Sequence, residues 1–234
     1  GKGSVCEYIS NAVKADKKSV GKFTSPYIDC IEERIQVNGK YISKPAFALL
    51  CEQVKNAVEQ SGFEGFSQFE ILCAIALLYF YKEQVSVAVI ETGIGGLFDC
   101  TNVVNPAVSV ITTVALDHTD ILGESLTDIA HHKAGIIKPS IPCVVAPLQD
   151  KEVMNIIEAK CREYNSELTV PDMSRVQVLH MDTTDVFFSY KGMNYHLIMS
   201  GEHQINNALC AIEACRVLGI QYSSVFTGLE KSSL

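Results

Sequence analysis

Apolar residues recur at helical spacing in several long stretches of this chain, and short β-branched runs fall between them. Residues 4–14 carry a helical pattern, and so does "KPAFALLCEQVKNAVEQ". Ser67 and Glu70 stand in capping-box relation ahead of the next apolar run, "FEILCAIALLYFYKE". "VSVAVIE" and "AVSVITTVALDH" are strands rich in Val, Ile and Thr that end in polar residues or glycines. A helix running to about residue 137 precedes a third such strand, "IPCVVAP", and then the helical "DKEVMNIIEAKCREY". This alternation predicts an α/β fold with a mostly parallel sheet flanked by helices. Near residues 168–200 the texture changes to closely spaced strands, "RVQVLHM", "DVFFSY" and "MNYHLIM", the last two joined by "KG". A small antiparallel patch with a hairpin is expected there. A final helix, "INNALCAIEACRVLG", is expected to end at Gly219. No internal repeat or low-complexity linker interrupts the chain.

Composition narrows the class. At 234 residues and 47% hydrophobic content, one large domain, or one domain with an appendage, can bury a core. A formal net charge of -8 argues against general nucleic-acid binding, which favours a basic surface. The nine cysteines lie scattered in apolar stretches with no C-x-x-C pair, the pattern of free buried thiols in a reducing cytosol. No signal peptide is recognised, and the most apolar window, "FEILCAIALLYFY", is too short for a bilayer span. A cytoplasmic protein without a membrane partner is expected.

Candidate chemistry sits at strand ends, where open α/β sheets place ligands. Glu91 closes one strand and leads into "TGIGG", whose glycines let backbone approach a ligand closely. Asp117 and His118 close the next. A carboxylate and an imidazole there could hold a divalent ion, although magnesium prefers oxygen ligands and such residues also serve as helix caps. The opening "GKGS" has the look of the back half of a phosphate-binding loop, with its serine one place later than the usual Gly-Lys-Ser/Thr.

Taken in order, "GKGS", "ETGIGGLFDCTNVV", "ALDHTDILGESLTDIAHHKAGIIK" and "GEHQINNALCAIEA" closely resemble the folylpolyglutamate synthase and dihydrofolate synthase family of the Mur ligase superfamily. "FTSPYIDCIEERIQVNG" is similar to that family's substrate-side loop. Two positions depart from it. Leu97 stands where bacterial members usually carry Arg, and His132 stands where many have Glu before "KAGI".

The resemblance implies a central ATP-binding domain over residues 1–234, cut within the phosphate loop at one end and lacking the C-terminal ligase domain at the other. It implies a ligase that uses ATP and Mg2+ to phosphorylate a carboxylate, which the amine of L-glutamate then attacks. The acceptor would be folate or dihydropteroate, and the chain alone is expected to be inactive and monomeric. Lys2, Lys133 and His118 match catalytic positions, Lys133 being the lysine the superfamily carbamylates. Gly1, Lys2, Gly3, Ser4, His203, Gln204 and Asn207 match the ATP site. Ser4, Ser25, Glu91 and His118 match the metal site, and Ser25, Pro26 and Asp99 the acceptor side. The alternatives are another Mur-superfamily ligase, acting on peptidoglycan or cyanophycin precursors, and a non-catalytic nucleotide-binding module. "TSPY" and "GEHQ" argue against the first.

Overall fold

The structure is a computed structural model that describes residues 1–199 and 201–232. Helix α1 (Lys2–Ala15) buries Val5, Tyr8, Ile9, Ala12 and Val13, a stripe at the spacing a helix needs to face a core on one side. It leads into β1 (Val20–Phe23), followed by β2 (Ile35–Val37), β3 (Lys40–Tyr41), α2 (Lys44–Ser61) and α3 (Gln68–Lys82). Ser67 and Glu70 form the expected capping box at the start of α3. Strand β4 (Val87–Ile90) pairs in parallel with β1, which brings the ends of both strands, Phe23 and Ile90, to one edge. The order in this sheet is β3-β2-β1-β4.

A second, wholly parallel sheet contains β5 (Ser109–Ile111), β6 (Cys143–Val145) and β7 (Leu168–Thr169), in that order. Between β5 and β6 run α4 (Thr119–Leu122) and α5 (Leu126–Ala134), and α6 (Lys151–Glu163) connects β6 to β7. The expected single helix to about residue 137 is therefore broken. Gly123, at φ 101, ends α4, and a second capping box, Ser125 with Asp128, starts α5. The antiparallel patch is present as β8 (Val176–Met181), β9 (Val186–Tyr190) and β10 (Met193–Leu197). Lys191 and Gly192 form its two-residue turn, both with positive φ, as a hairpin matched to strand twist requires. Helices α7 (Glu202–Val217) and α8 (Tyr222–Glu230) complete the chain.

Three hydrophobic clusters hold these parts. One lies under α2 and α3 around Phe23, Ile35 and Phe80, and another lies under α5 and α6 around Ile129, Val145 and Ile157. The third joins α1, α7 and α8 to the antiparallel sheet and reaches both Val89 of β4 and Val144 of β6. Gly228 makes the closest crossing: a Cβ there would stand 2.3 Å from the backbone nitrogen of Ala12, so α8 packs backbone to backbone on α1. The buried carboxylate of Glu213 on α7 accepts from Tyr190, Lys191 and Arg216, tying the hairpin to the helix. Burial pushes its pKa up, but the three donors outweigh that and hold it below the ordinary value.

Strands β4 and β5 do not pair. Between their facing edges lies an apolar cavity of about 500 Å³, lined along β4 by Val87 to Glu91 and along β5 by Val108 to Val110. Val5 and Ile9 of α1 also line it. No helix among the described residues is long and apolar enough to cross a membrane.

Candidate functional site

The first turn of α1 is the centre of the arrangement. Gly1 is its N-cap and no side chain caps it, so the leading amides lack the partners that the helix interior provides. A Cβ on Gly3 would lie 4.0 Å from Glu91 Oε2, and one on Gly1 would lie 3.9 Å from Thr112 Oγ1. The turn thus lies beside residues that follow β4 and β5. Thr112 is a contact that strand patterning did not single out; its place just after "SVI" was the available signal.

Glu91 is 5% exposed, and its Oε2 accepts from the Ser25 amide at 3.1 Å, its one hydrogen bond among the described residues. Burial pushes its pKa up, while the Ser25 amide and the nearby Lys2 ammonium pull the other way without cancelling the rise. Ser25 therefore meets Glu91 through its backbone, whereas Pro26 is exposed beyond it.

The glycine loop after β4 is organised by Asp99. Its Oδ2 accepts from the amides of Gly93 (2.9 Å) and Ile94 (3.0 Å), and its Oδ1 from the amide (3.0 Å) and hydroxyl (2.5 Å) of Thr101. A carboxylate has about four acceptor positions, so Asp99, expected on the acceptor side, is engaged entirely within the protein. Lys2 Nζ donates to the Gly93 carbonyl at 2.8 Å. At the far end of the loop, the Leu97 amide donates to the His132 carbonyl (2.7 Å) in the last turn of α5. The Leu97 side chain lies over Gly135, where a Cβ would come within 2.4 Å of it. Leu97 thereby docks the loop on α5.

Lys133 lies on that last turn of α5, half-buried. Burial lowers its pKa and the like charge of Lys2 lowers it further, against the opposing pull of Asp117. His118 adopts left-handed backbone (φ 49, ψ 42) at the start of α4, its Nε2 3.7 Å from Asp117 Oδ2. Histidine is among the few residue types enriched in that region. Lys2, Glu91, Ser25 and Lys133 are thus linked through contacts or charge, and Asp117 connects His118 to them.

No cluster of three or more His, Cys, Asp or Glu side chains is assembled for a metal among the described residues. A magnesium-type ion does not require one, because one or two carboxylates with hydroxyls, water and phosphate suffice. Glu91, a buried carboxylate with one hydrogen bond, next to Gly3 and Ser25, fits that need.

His203, Gln204 and Asn207 lie on the first turns of α7. Gln204 and Asn207 are buried and bonded to each other at 3.0 Å, while His203 is exposed. Gly201 caps the helix at φ 108, and a Cβ there would meet the His203 ring at 2.7 Å. Helix α7 packs along α1, but no hydrogen bond among the described residues connects these three side chains to Lys2, Glu91 or Lys133.

Comparison with known proteins places this geometry. The chain is 42% identical over 168 residues to the dihydrofolate synthase/folylpolyglutamate synthase of Bacillus subtilis, covering 70% of this chain and 39% of that protein. It is 35% identical over 218 residues to the dihydrofolate synthetase of Saccharomyces cerevisiae, covering 91% of this chain and 49% of that protein. The Mycobacterium tuberculosis folylpolyglutamate synthase, solved with ADP and AMPPCP, superposes with a TM-score of 0.87 at 31% identity, covering all of this chain and 57% of that one. The chain thus spans less than two thirds of each. Its α/β architecture matches that structure throughout, and the Mur ligase middle domain matches residues 1–215, from the glycine-lysine turn of α1 into the last turns of α7. The chain belongs to the Mur ligase middle-domain family.

Proposed function

We propose that this chain is the ATP-binding core of a ligase that joins L-glutamate to folate or dihydropteroate through an acyl phosphate. The observation that carries the reading is Lys2 and Glu91 meeting at the first turn of α1, with the charge of Lys2 felt at Lys133, in a chain whose relatives are named for this activity. Two cations and the free amides of a helix N-terminus suit a triphosphate meeting a carboxylate. In this reading Lys2 and the amides of Gly1 to Ser4 hold the β- and γ-phosphates, and Gln204, Asn207 and His203 hold the adenine side. Magnesium, held by Glu91 and His118 with the hydroxyls of Ser4 and Ser25, would neutralise charge on phosphate and carboxylate oxygens.

Lys133 has a further part. Its lowered pKa keeps more of it as the neutral amine, the form that adds carbon dioxide to give a carbamate and release a proton. A carbamate there reverses the local charge, turning a repelled cation into an anion suited to a metal. The slot between β4 and β5 has the apolar lining for one more parallel strand, which would fix the first turn of α1 from below.

The test is ATP-dependent incorporation of labelled glutamate, with folate, dihydropteroate and a muropeptide as acceptors. It is run in a polypeptide that also spans the rest of the relatives' length. Amide product with a pteridine acceptor and stoichiometric ADP is expected. Product with the muropeptide alone would favour another ligase of the family, and nucleotide binding without any product would favour a non-catalytic module.

A further inference from the structure

One peptide unit in the glycine loop is held at both ends by charge. The Ile94 N–H and the Gly93 C=O belong to the same peptide. The N–H donates to Asp99 Oδ2 at 3.0 Å, and the carbonyl accepts from Lys2 Nζ at 2.8 Å. We propose that Asp99 is a positioning residue that sets where the Lys2 ammonium stands, acting through the Gly93–Ile94 peptide.

An anion on the N–H and a cation on the C=O polarise a peptide in the same sense, and each bond strengthens the other. Asp99 is fixed in turn. Its second bond to this loop, from Gly93 N–H at 2.9 Å, prevents the peptide from rotating about one contact. Thr101 holds the other oxygen by both amide and hydroxyl. The side chain also caps the one-turn 3-10 helix Cys100–Val103, so the anchor is part of regular structure. Gly93 is required where the peptide passes. A Cβ there would stand 2.8 Å from the Phe69 ring and 3.1 Å from Asp99 Oδ2, forcing the peptide off its anchor.

An ammonium on a flexible four-carbon stem has many positions to choose from. The Gly93 carbonyl selects one of them. That such a position serves a phosphate rests on the function proposed above; the Asp99–peptide–Lys2 coupling does not.

The experiment therefore has two readouts. The first needs no nucleotide: hydrogen exchange of the Ile94 amide, by NMR, in wild type, Lys2→Met, Asp99→Asn and the double variant. Loss of the ammonium should speed Ile94 exchange about 5-fold when Asp99 is present and less than 2-fold in the Asp99→Asn background. Equal effects of Lys2→Met in both backgrounds, or none in either, would overturn the coupling. The second readout is affinity for MgATP, measured in the longer polypeptide used for the ligation test. Asp99→Asn keeps the shape but places an NH₂ or a neutral oxygen where two amides need an anion, and affinity should fall about 10-fold. Thr101→Val leaves the Thr101 amide on Oδ1 and both loop amides on Oδ2, so it should change affinity less than 2-fold. Equal losses in the two variants would show that Asp99 acts only as loop structure and would overturn the positioning role. If wild type binds no MgATP, the proposed function fails on that arm, and the exchange cycle alone decides this inference.

Discussion

Replacing Gly228 by alanine tests the packing that sets the position of α1, and with it Lys2. Ordinary van der Waals contact begins near 3.4 Å, yet the added Cβ would stand 2.3 Å from the Ala12 nitrogen and 2.5 Å from its Cα. Both partners are helix backbone, so no side chain can swing away and α8 must move from α1 by about an ångström. Overpacking of this kind costs about 1–3 kcal/mol, and backbone on both sides argues for the upper end. Against it, alanine in a helix interior is favoured over glycine by roughly 1 kcal/mol. Packing wins by about 2 kcal/mol. For a domain of this size, with a shift of roughly 2–4 °C per kcal/mol, the midpoint of thermal unfolding should drop by about 4–8 °C. Circular dichroism at 222 nm, with a matched scan of wild type, measures it. An unchanged or higher midpoint would mean that helix propensity wins and that the α1–α8 crossing is looser than described.

Other outcomes follow from the site. Glu91→Gln should cut ligation at least 100-fold, as about 3 kcal/mol of lost transition-state stabilisation would. It should also raise stability at neutral pH by about 1 kcal/mol. Burial raises the folded-state pKa, so the folded protein binds more protons than the unfolded chain, and wild-type stability falls as pH rises from the ordinary Glu value through the raised one. The advantage of Gln should therefore vanish in acid; urea midpoints between pH 4 and 8 that run parallel would refute this. Lys133→Ala should lose most ligation and regain part of it with formate or acetate, and ¹³C-bicarbonate should label wild type but not the variant. Normal turnover in Lys133→Ala without additives would leave the lysine as a local charge only. Gly201→Ala should lower the urea midpoint by an amount equal to about 1–3 kcal/mol, because φ is 108 and the His203 ring blocks the Cβ. A midpoint within error of wild type would show that the cap can rearrange.

Much of the fold was legible wherever a local signal and the tertiary structure agreed. Ser67 with Glu70, and Lys191 with Gly192, are short-range devices that need no knowledge of neighbours, and both formed as expected. The strands β1 to β3 were missed, because "VGKF" places Lys22 within a four-residue strand and the following segment carries more polar residues than strand pattern. Lys22 is accommodated there by an ion pair with Glu7, a partner fifteen residues away that no periodicity reveals. Helix α8 was missed for a related reason. Its "YSSVFTGLE" is poor in strong helix formers, and its glycine, which weakens propensity, is what allows the close approach to α1.

In the site, residue types were visible but their uses were not. Asp99 is matched to the acceptor side by resemblance alone, and its type gives no sign of the four donors of its own loop that surround it. Ser25 enters through its amide, which sequence cannot distinguish from a hydroxyl contact.

The unpaired edges of β4 and β5 divide the loads within the molecule. Glu91 ends one strand group and His118 and Lys133 belong to the other, and across the slot the two are joined by side-chain packing through α1 and by the Leu97–His132 backbone hydrogen bond, not by a strand ladder. Packing and a few hydrogen bonds yield more readily than a continuous sheet, so the spacing between these groups is expected to be softer than the spacing within either sheet. Under the proposed function, a ligand that spans them would act as a strut, and part of its binding energy would go into stiffening that coordinate. Leu77 and Leu218, which line the slot, lie on the seam itself. A change in their bulk is expected to alter how far apart Glu91 and Lys133 rest.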